Sequence, residues 1–137
     1  DADLADRVTK ENLDEAAAFA KAFAGKMNAV VAITGAIDIV ADAEKAYCIY
    51  NGRPEMSSIT GTGCQLSALT AAFVTANQEQ PLEAAAAAVC AMGLSGETAY
   101  ARLGELDGNA TYRNYIIDAI YRMNGEALEA GAKFEVR

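Results

Sequence analysis

The sequence has 137 residues with no histidine or tryptophan, and its 11 basic and 19 acidic side chains leave a formal net charge of −8. This length fits one soluble domain, although many enzyme folds need a longer chain. Without histidine, any chemistry must use Cys, Asp, Glu, Lys, Tyr, Ser or the backbone. The acidic balance and the scattered basic residues argue against binding to nucleic acid or to an anionic membrane.

Other features of the sequence favour a reduced cytoplasmic protein. No apolar run approaches the roughly 20 residues that a bilayer span needs. The first residues, 1–3, lack the basic and apolar regions of a signal peptide. The three cysteines, Cys48, Cys64 and Cys90, are an odd number without the spacing of a metal site.

The first half of the chain predicts one helix followed by three strands. Apolar residues recur at three- and four-residue steps after Asn12, which is placed to cap the helix start, and Gly25 is expected to end the helix. The apolar run 29–34 favours a strand covered on both faces. Two β-rich segments, 37–41 and 46–50, are expected to form a hairpin.

The second half predicts helices and a last strand. Leucine and phenylalanine between residues 66 and 76 line one helical face, and Pro81 can open a second, alanine-rich helix. Apolar and aromatic residues between 112 and 123 mark a third helix, with the tyrosines mostly in the core. Residues 133–137 are expected to form a terminal strand. No repeat, linker or second domain is evident.

The segment 60–66, Thr-Gly-Thr-Gly-Cys-Gln-Leu, places glycines and a thiol where a loop becomes a helix. The first amides of a helix have no internal partner, so they and the helix dipole bind anions when a ligand approaches. Cys64 is therefore a candidate base or nucleophile beside an anion hole. The segment is not a Walker-type phosphate loop, because no lysine follows Gly63. A plain turn with a structural cysteine remains the alternative.

Other polar residues are weaker candidates. Thr34-Gly35 follows a strand at the edge where open α/β sheets bind ligands, although a plain turn is the alternative. Glu97 could act as a functional acid or as a solvated or capping group. Asp38 and Asp42 are expected to face solvent from the hairpin. Cys48 and Cys90 are expected to be structural.

Several motifs together resemble a known family. The motifs are Val-Val-Ala-Ile-Thr-Gly at 30–35, Asn-Gly-Arg-Pro at 51–54, Thr-Gly-Thr-Gly-Cys at 60–64, Ala-Ala-Phe at 71–73, Gly-Glu at 96–97 and Asp-Ala-Ile-Tyr at 118–121. In order and spacing they closely resemble the C-terminal half of hydroxyethylthiazole kinase over nearly the whole chain. Several motifs in one register are far more specific than any one of them.

The resemblance implies an α/β fold, the C-terminal portion of a ribokinase-like sheet flanked by helices, with residues 1–137 as half of one kinase domain. It implies transfer of the γ-phosphate of ATP to the hydroxyl of 4-methyl-5-(2-hydroxyethyl)thiazole in thiamine salvage, with Mg²⁺ as cofactor. It also implies a cytoplasmic homotrimer in the full-length protein, with thiazole sites between subunits.

The resemblance also implies roles for individual residues. Thr34 matches the threonine that contacts ATP, and Gly61 matches a substrate-binding glycine. The amides of Thr62, Gly63 and Cys64 would form the anion hole. Cys64 stands where most ribokinase-like enzymes have an aspartate base, so it would help to remove the proton of the substrate hydroxyl.

Two departures from the family pattern concern local loops. Arg53 stands where the family usually has histidine, and the hairpin near Ala43 lacks a usual glycine. The family chain is also about twice this long, and its other half carries the thiazole-contacting methionine, an ATP-binding arginine and the acidic residues associated with Mg²⁺, so no metal ligand is assigned here. The alternatives are another ribokinase-like small-alcohol kinase of the hydroxymethylpyrimidine kinase type, or an inactive structural fragment.

Overall fold

The computed structural model describes residues 8–137, which form two compact units. The first unit contains residues 8–50 and 134–137, and the second contains residues 51–133. The elements in chain order are α1 Leu13–Met27, β1 Val31–Ile33, β2 Asp38–Ala41, β3 Ala46–Ile49, a 3-10 helix Pro54–Ser58, α2 Thr62–Ala76, α3 Pro81–Tyr100, α4 Asn109–Arg122, α5 Gly125–Gly131 and β4 Phe134–Val136. The mixed α/β class expected from the sequence is confirmed.

The first unit is a four-stranded antiparallel sheet in the order β1-β2-β3-β4, with α1 packed on it. The buried residues of α1 recur at helical spacing, and they join small and branched side chains of β2 and β3 in one core. This core contains Leu13, Ala17, Ala20, Ile37, Ile39, Ala41, Ala46 and Cys48. The expected hairpin is confirmed, and Asp42 fixes its turn by accepting hydrogen bonds from the amides of Glu44 and Lys45 at 2.8 and 2.7 Å.

The predicted end of the first helix is wrong. Helix α1 continues through Gly25 to Met27 and ends at Asn28, which adopts the left-handed conformation with φ of 50°. Asparagine tolerates this conformation better than most residues, so it replaces the expected glycine as the C-cap. Gly25 instead allows a close approach to the hairpin, because a Cβ there would lie 3.3 Å from the Cβ of Ala43.

The expectation that the first strand is covered on both faces is also wrong. Strand β1 lies at one edge of the sheet, where Ala32 is exposed and Val31 and Ile33 are only half-buried. An apolar run predicts burial of a strand only when neighbouring elements cover it. The residues described here provide β1 with a strand partner on one side only.

The second unit packs α2, α4 and α5 around the alanine-rich α3. Its core includes Ile59, Met92, Ala99, Tyr112 and Ile116. The hydroxyl of Tyr112 donates a hydrogen bond of 3.0 Å to the carbonyl of Gly96, so this buried tyrosine is satisfied in the core as expected. Tyr121, in contrast, is 89% exposed. Within residues 8–137, no helix is both long and apolar enough to cross a membrane.

Sequence patterns did not predict the 3-10 helix or α5. Both are short, and neither contains enough turns to establish a helical period. A capping signal was nevertheless present at α5, because the side chain of Asn124 accepts a hydrogen bond of 2.8 Å from the amide of Ala127.

Candidate functional site

The start of α2 has the backbone geometry of an anion-binding loop. Gly61 precedes the helix with φ of 94°, a left-handed conformation that side chains rarely adopt and glycine adopts without strain. A Cβ added to Gly61 or Gly63 would meet no atom within 4 Å. The loop predicted at residues 60–63 therefore leads directly into a helix whose first turn borders open space.

The first amides of α2 are not used by the helix itself. Its first backbone hydrogen bond runs from the amide of Gln65 to the carbonyl of Gly61 at 3.0 Å. The amides of Thr62, Gly63 and Cys64 precede that bond, and the helix has no earlier carbonyl that could accept a hydrogen bond from them. The first turn contains no acidic residue, so no side-chain charge there opposes an approaching anion.

Cys64 lies in this first turn and differs from the other two cysteines. It is exposed, whereas Cys48 and Cys90 are buried, and none of the three forms a disulfide. The expected structural setting of Cys48 and Cys90 is thus confirmed by their burial. Cys64 combines a free thiol, access to solvent and the unpaired amides of a helix start.

A buried asparagine and Glu97 connect three segments of the second unit. Asn51 is only 6% exposed, and its side-chain amide donates to the carbonyl of Gly131 at 3.0 Å and to Glu97 at 3.2 Å. Its side-chain oxygen accepts from the amide of Lys133 at 2.8 Å. Glu97 also accepts from the amide of Gly52 at 2.9 Å and from the amine of Lys133 at 2.7 Å. We call Asn51, Glu97 and Lys133 the polar clamp.

The electrostatics of the polar clamp favour an ionised Glu97. Partial burial, the largest single influence, raises the pKa of Glu97, but the hydrogen bonds from Lys133, Gly52 and Asn51 together outweigh it. The net result is a pKa below the ordinary value of 4.5. In this chain Glu97 is therefore an ionised acceptor that holds the segment after residue 50.

Arg53, which departs from the family pattern, is fixed by its neighbours. Its guanidinium forms a two-point interaction with Glu55 at 3.0 and 2.9 Å and lies 4.0 Å from the centre of the Tyr100 ring. This bonding lowers the pKa of Glu55 to about 2. Both side chains of the ion pair are substantially exposed, so salt screens the interaction and its contribution to stability is small.

Thr34 lies in the first unit, directly after β1, and it is exposed. The following amide, of Gly35, donates a hydrogen bond of 2.8 Å to the carboxylate of Asp38. Asp38 is half-buried, so the expectation that it faces solvent is wrong, and burial raises its pKa while the bond to Gly35 opposes that shift. The Thr34-Gly35 turn is thus shaped by a carboxylate that sequence reasoning assigned to solvent.

The described residues contain no group of three or more His, Cys, Asp or Glu side chains that could hold a metal ion. No Mg²⁺ ligand is assigned within residues 8–137. The polar clamp is the feature that sequence reasoning missed. Asn51 and Glu97 were both visible in motifs, but their pairing joins positions 46 residues apart.

A family model described as the hydroxyethylthiazole kinase family matches residues 6–126 of this chain. A hydroxyethylthiazole kinase from Clostridium acetobutylicum is 56% identical over 135 residues, which are 98% of this chain and 50% of that protein. One from Zea mays is 39% identical over 86% of this chain and 41% of its own length. The chain spans about half the length of the curated relatives it matches.

A solved structure gives the same result for the fold. The hydroxyethylthiazole kinase protein from Pyrococcus horikoshii OT3 is 32% identical to this chain and superposes with a TM-score of 0.82. The match covers 93% of this chain and 48% of that protein. The architecture described above is therefore also found in roughly half of a known kinase chain.

Proposed function

Because the chain belongs to the hydroxyethylthiazole kinase family, we propose that residues 1–137 form the C-terminal half of a single ribokinase-like kinase domain. In the whole protein this domain transfers the γ-phosphate of ATP to the hydroxyl of 4-methyl-5-(2-hydroxyethyl)thiazole, a step of thiamine salvage. The observation that carries the proposal is the open first turn of α2 behind Gly61, with its unpaired amides.

The first turn of α2 supplies what phosphoryl transfer needs most. The reaction depends mainly on alignment and on stabilising negative charge on the transferring group. Amides that are already fixed in position stabilise such charge without reorganising during the reaction. The amides of Thr62, Gly63 and Cys64 form the anion hole in this proposal, while Gly61 borders the substrate.

The proposal gives one further role to Cys64 in the second unit and one to Thr34 in the first unit. The thiol of Cys64 lies beside the substrate hydroxyl and helps to remove its proton, a modest contribution because that proton can leave late in a loose transition state. Thr34 contacts ATP from the turn after β1. Both side chains are exposed in this chain, which such contacts require.

Mg²⁺ accompanies ATP in this proposal, and its protein ligands belong to the half of the domain that this chain does not cover. Bound Mg²⁺ neutralises charge on the phosphates of ATP. The whole protein is a cytoplasmic homotrimer, and the chain of residues 1–137 is inactive by itself.

Coupled ATP turnover with hydroxyethylthiazole tests the proposal, measured on this chain and on a full-length protein that contains it. We expect turnover in the full-length protein only. Turnover by the short chain alone would contradict the assignment of half a domain. Faster turnover with a hydroxymethylpyrimidine would favour the related small-alcohol kinase, and no turnover with either alcohol would favour a structural fragment.

A further inference from the structure

The start of α4 is connected to the segment that leads into α2. Asn109, the first residue of α4, donates a hydrogen bond of 3.1 Å from its side-chain amide to the carbonyl of Ser58. Its side-chain oxygen also lies 3.3 Å from the hydroxyl of Ser58. That hydroxyl has a single proton and forms a shorter bond of 2.7 Å to the carbonyl of Glu55. The amide of Asn109 is therefore the main link, and it joins positions 51 residues apart.

Helix geometry explains why Asn109 reaches Ser58. Residues at steps of three and four share one face of a helix, and Tyr112 and Ile116 lie on the same face as Asn109. Both are buried in the core of the second unit, and the hydroxyl of Tyr112 is also bonded to the carbonyl of Gly96 in α3. The exposed side chain of Asn109 extends this core-facing stripe by one turn. The position of Asn109 is thus set by the packing of α4 on α3.

Ser58 lies close in the chain to the first turn of α2. The next residue, Ile59, is 5% exposed and belongs to the core of the second unit. Its carbonyl accepts a hydrogen bond of 3.4 Å from the hydroxyl of Thr62, the first residue of α2. Residues 58 and 59 are thus bonded both to the start of α4 and to the start of α2. A movement of Ser58 would reach Gly61, which is only three positions further along the chain.

We propose that Asn109 is a positioning residue for phosphoryl transfer, because it holds the loop 59–61 and thereby fixes the direction of the amides of Thr62, Gly63 and Cys64. The inference rests on the proposed function of these amides. Donors that are fixed in advance stabilise developing charge without reorienting during the reaction. A misplacement of about 1 Å in such a site is enough to slow the reaction greatly.

Asn109→Ala in the full-length kinase tests this role. We expect kcat to fall about fivefold to tenfold, while the KM values for ATP and for the alcohol change less than about twofold. Asn109→Asp should show the same loss, because a carboxylate of the same shape cannot donate to the carbonyl of Ser58. Asn114→Ala is the matched control, since Asn114 is an exposed asparagine of the same helix. This control should retain full turnover.

Inhibition by ADP with aluminium fluoride separates positioning from a loss of folded protein. This combination mimics the transferring phosphoryl group, so it should bind more weakly to Asn109→Ala by the same factor by which kcat falls. A smaller folded fraction would lower the apparent kcat but would leave the inhibition constant unchanged. A lower kcat with an unchanged inhibition constant would therefore overturn the inference, and so would an unchanged kcat.

Amide hydrogen exchange provides a test that does not require turnover. The amides of Ile59 and Gln65 form backbone hydrogen bonds of 3.2 and 3.0 Å on either side of the loop. In the full-length protein their exchange should accelerate about fivefold in Asn109→Ala, as expected for the loss of one exposed hydrogen bond, and stay unchanged in Asn114→Ala. Unchanged exchange in Asn109→Ala would overturn the inference. Absence of turnover in the unsubstituted protein would instead contradict the proposed function, while the exchange result would still decide whether Asn109 holds the loop.

Discussion

Two glycine pairs of the second unit differ in what surrounds them. At the start of α2, a Cβ on Gly61 or Gly63 would meet no atom within 4 Å. Within α3, a Cβ on Gly93 would lie 2.7 Å from backbone and side-chain atoms of Asn51, and one on Gly96 would overlap Met56. The first pair borders open space, which leaves room for a ligand. The second pair lets Asn51 and Met56 pack closely against α3. Substitutions at the two pairs should therefore affect different properties, namely turnover and stability.

Gly63→Val should have the largest effect on function. In the full-length kinase we expect turnover to be abolished, because the added side chain would fill space beside the amides proposed to bind the phosphoryl group. The free energy of unfolding should change by less than about 0.5 kcal/mol, as at most exposed sites. Coupled ATP turnover and urea unfolding measure the two quantities.

The matched control is Gly125→Val at the start of α5, where a Cβ also meets nothing within 4 Å. This variant should retain full turnover. If Gly63→Val also retained turnover, the anion-hole assignment would be wrong.

Gly93→Ala should instead lower the stability of the isolated chain. The new methyl group would force the backbone of Asn51 to move, and overpacking of this kind costs about 2–3 kcal/mol. Chemical unfolding of the 137-residue chain measures the loss. Gly125→Ala serves as control and should be close to neutral. If Gly93→Ala lowered the free energy of unfolding as little as the control does, then α3 and the segment at Asn51 could move apart without loss of stability.

Glu97→Gln should have a smaller effect that depends on pH. The substitution keeps an acceptor for Gly52 but removes the charge that pairs with Lys133, and we expect a loss of about 1 kcal/mol near neutral pH because Lys133 is largely exposed. Urea unfolding of the isolated chain, compared with the exposed control Glu105→Gln, measures this loss.

The sign of the pH dependence follows from the lowered pKa of Glu97. Its ionised form stabilises the folded chain fully above the ordinary value of 4.5, and this stability is lost as pH falls through the lower folded value. The difference between Glu97→Gln and the original chain should therefore disappear in acid. If the difference in free energy of unfolding persisted unchanged in acid, the charge of the Glu97 carboxylate would not be its cause.

Local signals allowed the sequence to predict the start of α2, the opening of α3 at Pro81 and the hairpin between β2 and β3. Each depends on residues close together in the chain, such as glycine before a helix or proline in its first turn. The family motifs added the roles of Thr34, Gly61 and Cys64, which stay predictions. These signals place candidate residues on elements, but they do not establish which distant side chains meet.

Long-range contacts account for what the sequence did not predict. The polar clamp joins Asn51 to Lys133 across 82 positions, and no local pattern reports such a pairing. The exposure of β1 depends on the absence of a neighbouring strand within the described residues, not on its apolar composition. Helix α1 continues past Gly25 and ends where the backbone turns left-handed at Asn28, so the presence of glycine did not determine where the helix ends.

Cys64→Asp should have the smallest effect on turnover and stability, although Cys64 lies in the same first turn of α2 as Gly63. The carboxylate restores the base of the wider superfamily at an exposed position, so turnover of the full-length kinase should be retained or raised. An acidic residue in the first turn of a helix is also stabilised by the helix dipole, by about 0.3–1 kcal/mol. Turnover and unfolding of Cys64→Asp and Cys64→Ala, measured side by side, separate the two contributions. Because the proposal gives proton removal only a modest role, Cys64→Ala should retain measurable turnover. Complete loss of turnover in Cys64→Ala would contradict that modest role.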